Sequence, residues 1–273
     1  MAADALHAVA SHATDAASHA EAIPELPNVI TLLSHRWHDV PWVAALHHWE
    51  NLVFAAVIAI GLSLVAWRAC RRPATVPWGW QNLLELFVES MDRLVCSIIG
   101  PEGRRFTPFI GTLFLYIWLM NLSGLVPGFK SSTANLNTTA ALAITVFLYV
   151  QGTGMRHLGL VGYLDHLVGQ PRDLVGWLMV PLLLPIHVLG EFIKPLSLSL
   201  RLCINVFAED VMLAVVVGLG LTLGIAMHLP VGVPLQVLVF PLVLIFSTVQ
   251  ALVFSLLSTV YLAMMVGSEE AHH

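Results

Sequence analysis

Lys194-Pro195-Leu196-Ser197-Leu198-Ser199-Leu200-Arg201-Leu202-Cys203-Ile204-Asn205 sets an arginine inside an apolar run that reads on both sides as membrane helix. A guanidinium cannot shed its proton, and near the middle of a bilayer it costs roughly 2.5 to 3.5 kcal/mol even on the lenient insertion scale. Around it the polar residues recur at helical spacing. Taking Arg201 as zero and turning about 100° per residue, Lys194 falls at about 20°, His187 and Asn205 at about 40°, and Glu191 and Glu209 at about 80°. Asp210 falls near 180°, at about the opposite face, so one helix offers acidic groups to two environments. Unpaired charge is prohibitive in hydrocarbon, so these faces must meet water-filled clefts or a protein partner.

A blander reading is that intramembrane polar groups only glue helices together, and Lys194 with Glu191 at i−3 makes a plain local pair. Arg201 resists that reading. Its neighbours at three and four residues are Leu198, Ser197, Ile204 and Asn205, none of them acidic. Glu209 lies two turns away, about 12 Å along the axis. The countercharge of Arg201 must therefore come from another helix or another chain.

Composition gives the same class from a different direction. Hydrophobic residues make up 58% and charged residues 11% of the chain, and mean hydropathy is +0.82, which together describe an integral membrane protein. Cys70, Cys96 and Cys203 show no metal-ligand spacing, and their odd number argues against a disulfide framework. The sparse charge, −5 net, is not gathered into a nucleic-acid-binding face. There is no Walker motif, no metal cluster and no nucleophile with a base, so no catalytic site and no cofactor is expected.

Residues 1–48 are an Ala- and His-rich polar tail with no positive n-region and no apolar h-region, and residues 49–273 form one membrane domain. The first span, Leu52 to Trp67 with its flanks, matches a ~30 Å hydrocarbon core. From Gln81 to Ile99 the apolar residues Leu83, Leu84, Phe87, Val88, Met91, Leu94, Val95, Ile98 and Ile99 oppose Glu85, Glu89, Asp92 and Arg93, the pattern of an interfacial amphipathic helix. A second span runs from Phe106 to about Val126 and a third from Ala140 to Gln151, joined by a polar outer loop, Lys130 to Asn137. The loop from Arg156 to Arg172 carries His157, Asp165 and His166 as solvated residues, with Asp173 just beyond it. Leu174 to Gly224 and Leu235 to Val266 complete about five membrane-embedded helices in an all-α protein. The first of these two segments would be roughly 75 Å long and so must tilt, bend or break. Arg68, Arg71, Arg72, Arg93, Arg104, Arg105, Arg156 and Arg172 fall on one side and only Arg36 and Lys130 on the other, which puts the amino terminus outside and the carboxyl terminus in the cytoplasm.

The stretch Pro185 to Leu202 resembles the signature of subunit a of the F-type ATP synthase. Further similar segments are Leu119 to Pro127, Asn135-Leu136-Asn137, Gln250 to Phe254 and the acidic, histidine-bearing end Ser268 to His273. The resemblance covers the chain from about residue 50 onward and implies a membrane stator facing a rotating c-ring, with the last two helices (residues 174–266) as a strongly tilted hairpin against that ring. It implies a peripheral-stalk subunit b as partner beside the lipid bilayer, no nucleic acid, and no small-molecule substrate other than the translocated ion. The implied location is a bacterial inner membrane. A thylakoid membrane is the alternative, because the acidic pair Glu209-Asp210 is similar to the plastid and cyanobacterial form.

By the same resemblance Arg201 is the family's obligatory arginine, Asn205 the amide one turn on, and Gln250 the glutamine of the last helix that faces it. His187, Glu191, Glu209, Asp210, Asn135 and Asn137 are assigned to the lining of two half-channels, which Arg201 keeps electrically separate. There are departures. Cys203-Ile204 replaces the common Phe-Gly, Gly124 stands where some relatives have aspartate, and Val243 stands where some have histidine, so no histidine relay on the last helix is implied. The rival reading, a secondary ion-coupled transporter, requires an internal repeat. The charged segment occurs once, and Leu235 to Val266 carries no matching Arg or Lys.

Overall fold

The computed structural model describes residues 49–70, 79–126, 129, 131–168, 174–226 and 234–266. The polar tail, Arg71, Arg72, Lys130, Arg172, Asp173 and the end from Ser268 lie outside the described residues. All regular structure among the described residues is helical. The α-helices are α1 (Glu50–Cys70), α2 (Trp80–Ile99), α3 (Thr107–Ser123), α4 (Leu136–Val168), α5 (Leu174–Ala226) and α6 (Gln236–Val266). Short 3-10 turns at Pro101–Arg105 and Ser132–Ala134 precede α3 and α4.

Four of these helices are long and apolar enough to cross a membrane, within Glu50–Arg68, Leu136–His157, Leu184–Ala226 and Gln236–Val266. The fifth apolar helix, α3, has 17 residues and spans about 26 Å, a little less than a ~30 Å core. At 53 residues α5 is about 80 Å of continuous helix, so it cannot cross perpendicularly. Pro181, Pro185 and Pro195 lie within it, and each removes one amide donor from the i−4 ladder, which is where a long helix bends.

The core forms where α3, α5 and α6 meet α4 and α2. Ile110, Ile117 and Met120 of α3, Leu198, Leu202 and Val206 of α5, Phe254 and Leu262 of α6, and Val146 and Val150 of α4 are all buried. The amphipathic helix closes this core at one end. Met91 and Val95 are buried and Phe87, Leu94 and Ile99 pack on the cluster, whereas Leu83 and Val88 of the same apolar set remain exposed beside Leu86. Burying one stripe and leaving its flanks open suits a helix lying against both protein and lipid.

Two connections differ from the sequence expectation. The segment predicted as a loop from Arg156 is helical as far as Val168, with a reversal at Gly159, whose φ of 70° and ψ of 169° lie in a region open to glycine. Helix signals continue through Leu158 to Leu167, and only the single glycine marks the bend. The polar outer loop is helical at Ser132–Ala134, and Ser131, Ser132 and Thr133 in it are buried. Their hydroxyls find partners inside the fold: Ser132 donates to the Asn51 carbonyl at 2.9 Å and Thr133 to Asn121 Oδ1 at 2.7 Å.

Asp92 ties α2 to the start of α3. Its carboxylate accepts the Thr107 hydroxyl at 2.9 Å and Arg104 Nε at 3.2 Å. The Thr107 hydrogen bond first, and Arg104 after it, hold the Asp92 carboxyl below its ordinary value of 3.8 against an opposing desolvation. A depressed folded-state pKa contributes stability that is present above the unfolded value and is lost as pH falls through the folded one. Asp92→Asn should therefore lower the thermal stability of the purified protein at neutral pH, and the difference from wild type should close in strongly acidic buffer; melting curves across pH measure it.

Candidate functional site

Arg201 is exposed on α5, with the exposed Ile204 and Leu200 about 60° and 100° to one side of it around the helix and the buried Leu198, Leu202 and Val206 about 60° to 140° to the other. Among the described residues it makes no hydrogen bond and no ion pair. A cation presented on an apolar outward face without a local acceptor is costly unless something outside the chain receives it.

One turn on, α5 is joined to α6. Asn205 Nδ2 donates to Gln250 Oε1 at 2.7 Å, and the buried Ser247 hydroxyl donates to the buried Glu209 carboxylate at 3.1 Å. Asn205 and Glu209 are four residues apart and Ser247 and Gln250 three, so successive turns of two antiparallel helices are matched rung by rung. Gln250, expected opposite Arg201, has its amide oxygen engaged by Asn205. Val243 is buried one turn before Ser247.

Asp210 faces a different neighbour. A Cβ placed on Gly124 would lie 3.2 Å from Asp210 Oδ1 and 3.1 Å from Ser131 Cβ, so the carboxylate fits because that position has no side chain. Behind it Ser131 and Thr133 share a hydrogen bond at 2.8 Å, and Thr133 continues to Asn121 Oδ1. Asn121 is buried, and its Nδ2 has no partner among the described residues, an orphan donor beside a line of hydroxyls. Glu209 and Asp210 thus turn to α6 and to the end of α3 respectively.

On the other side of Arg201 a second polar cluster gathers. Lys194 Nζ donates to Glu191 Oε1, Gln151 Nε2 donates to Glu191 Oε2 at 3.1 Å, and the Tyr163 hydroxyl donates to Gln151 Oε1 at 2.8 Å. Lys194 also lies 5.6 Å from the ring centroid of Tyr261 on α6. His187, another turn away, is exposed. Asn135 caps α4: its Oδ1 accepts the Asn137 amide at 3.0 Å and its carbonyl accepts those of Thr138 and Thr139. The Asn137 side chain is exposed. Arg201 therefore sits between two clusters on one helix, about 10 Å from Lys194 and about 12 Å from Glu209 along the axis.

Sequence reasoning did not single out Asn121, Ser131, Thr133, Ser247, Gln151 or Tyr163 as site residues. Ser247 had a signal, since it lies on the face of Gln250 one turn earlier. The hydroxyls of the outer connection had none, because their partners are fixed only by the packing of α1, α3 and α5.

A family model described as ATP synthase A chain matches residues 51–263. The chain belongs to this family. It is 43% identical over 247 residues to the ATP synthase subunit a of Protochlamydia amoebophila, covering 90% of this chain and 91% of that one. It is 39% identical to the subunit a of Moorella thermoacetica, covering 79% and 89% of the two chains, and 38% identical to subunit a 1 of Syntrophotalea carbinolica, covering 83% and 90%. Membership of the ATP synthase A chain family spans α1 to α6 and includes both polar clusters.

The close fit of Gly124 and Asp210 gives a reciprocal prediction. Gly124→Ala forces neighbours to yield by a few tenths of an ångström and should cost about 1 to 3 kcal/mol. Gly124→Asp should be worse, since it sets two carboxylates against each other, and Asp210→Gly in the same chain should restore much of the loss. Thermal unfolding of the detergent-solubilised variants reads both effects.

Proposed function

We propose that this chain is the ion-translocating stator subunit of a rotary F-type ATP synthase, with Arg201 facing the c-ring. The observation that carries the reading is the exposed Arg201 guanidinium, without an internal acceptor among the described residues, on an apolar face of a helix that carries one polar cluster on each side of it. A c-ring carboxylate is neutral against lipid and must ionise to give up its proton. A fixed guanidinium in a low dielectric favours the ionised form by close opposite charge. Because Arg201 cannot deprotonate, protons do not hop through it, and ions cross only by riding the ring.

The two clusters then serve as the inner ends of separate half-channels. Glu209 and Asp210, with Asn121, Ser131 and Thr133 behind them, form the outer approach when α5 runs from cytoplasm to outside. On the cytoplasmic approach His187 is the exposed polar group that meets the ion, Glu191 lines the approach as the partner of Lys194 without carrying the ion itself, and Asn135 and Asn137 lie at the outer start of α4. The chain itself is non-catalytic on this reading and contributes ion passage to a complex that synthesises ATP. The exposed face of α1, with Leu52, Val57, Ile60 and Leu64, suits lipid or a peripheral-stalk helix of subunit b. The bacterial relatives support a bacterial inner membrane as its location.

Arg201→Ala should abolish ion-driven ATP synthesis in membrane vesicles while the complex still assembles; losing about 3 kcal/mol of charge stabilisation is already more than about a hundredfold in rate. Arg201→Lys should fail as a full substitute, since an ammonium lacks the planar fork and can lose its proton when buried. Near-normal synthesis by Arg201→Ala would sink the assignment.

Gln250 offers a second test. Its neutral amide holds Asn205 without presenting a competing anion near Arg201. Coupled synthesis should fall further in Gln250→Glu than in Gln250→Ala, because the new carboxylate competes with that of the ring. The reverse order would mean that packing, not charge, governs this position.

A further inference from the structure

Lys194 falls at about 20° from Arg201 around α5 and two turns before it, so a second cation shares the stripe on which the proposed function depends. A bare ammonium there would hold an arriving carboxylate and compete with Arg201. The surrounding contacts prevent this. Glu191 takes Lys194 on one oxygen and Gln151 on the other, so the carboxylate is fixed from two helices. An ionised carboxylate only accepts, which dictates that the Gln151 amide turns its nitrogen toward Glu191 and its oxygen away. That oxygen is held in turn by the Tyr163 hydroxyl.

Tyr163 reaches Gln151 only because α4 reverses at Gly159 and returns along itself. The return is tight: a Cβ on Gly154 would lie 3.2 Å from Met265 Sδ and 3.7 Å from Tyr163 Cδ2. Gln151 is 6% exposed, and the Glu191 and Lys194 side chains are 15% and 26% exposed, so the pair lies partly withdrawn from solvent. The pair borders a small cleft with Phe147, Pro195, Tyr261 and Met265. A neutral amide in the middle of the line passes no proton without changing its tautomer, which makes the line a brace and not a wire.

The geometry points to Gln151 and Tyr163 as positioning residues that hold Glu191 against Lys194, so that Arg201 is the single uncompensated cation on this stripe of α5. This rests on the proposed ring-facing role of Arg201. The folded-back end of α4 thereby acts on ion transfer without touching the ion.

The test uses the complete ATP synthase reconstituted in lipid vesicles, with ATP-driven proton uptake followed by a pH-sensitive dye. Gln151→Met should slow uptake roughly three- to tenfold, the scale set by losing a hydrogen bond to a charged group. Tyr163→Phe should slow it less, and should add nothing to Gln151→Met. In a Glu191→Gln/Lys194→Gln background, where there is no charge pair to hold, Gln151→Met should slow uptake no further. A merely structural Gln151 would cost the same in both backgrounds, and that result overturns the proposal. So does complete loss of uptake in the Glu191→Gln/Lys194→Gln background, which would make the pair a conductor. If Gln151→Met fails to assemble, Tyr163→Phe decides: unchanged uptake contradicts the brace. Arg201→Ala in the same vesicles separates the two claims. Uptake that survives it removes the proposed function and the brace with it, whereas uptake abolished by Arg201→Ala but unaffected by Gln151→Met and Tyr163→Phe removes the brace alone.

Discussion

The charge of Arg201 is the constraint on which the rest of the structure turns. It is permanent, it lies on the outward side of a helix long enough to cross a bilayer at a slant, and among the described residues nothing neutralises it. The core behind it is conventional and apolar, with Leu198, Leu202 and Val206 packed against Phe254 and Ile117. That core holds α5 in one rotation, and the rotation decides which way Arg201 points. A rotation that turned Arg201 into that core would bury an unpaired guanidinium among apolar side chains, at a cost no packing gain would offset.

Polar groups on either side of Arg201 are treated differently by the fold. Asn205 and Glu209 are bonded to α6, Asp210 is seated over a glycine at the end of α3, and Glu191 is shared between Lys194 and α4. Three neighbouring helices therefore contact successive stretches of one long helix. On the proposed reading this separation is the mechanism: two approaches that must not communicate are built against different partners, and the residue between them cannot carry a proton.

Much of this was legible in the chain itself. An arginine inside an apolar run with polar residues at helical spacing marked the polar stripe of α5, and the alternation of apolar and charged residues from Gln81 to Ile99 marked the amphipathic helix. Glu209 and Asp210 diverge by about 100° around α5, and in the fold one is bonded to Ser247 of α6 while the other lies over Gly124 at the end of α3. What stayed hidden depended on contacts between distant segments. Ser131 and Thr133 read as loop hydroxyls until α1 and α3 close around them, and Tyr163 read as part of a solvated loop until the reversal at Gly159 brings it to Gln151. The contact of Gln250 with Asn205 depends on the axial register of α5 against α6, which periodicity does not encode.

The most direct measurement is the position of the Arg201 guanidinium in an experimentally determined structure of the assembled complex. The account predicts that its nearest acidic group is a carboxylate of the ring, in contact or one water away, about 3 to 6 Å between heavy atoms. Arg201 paired within its own chain to Glu191, Glu209 or Asp210, with the ring against a different face of α5, would contradict it.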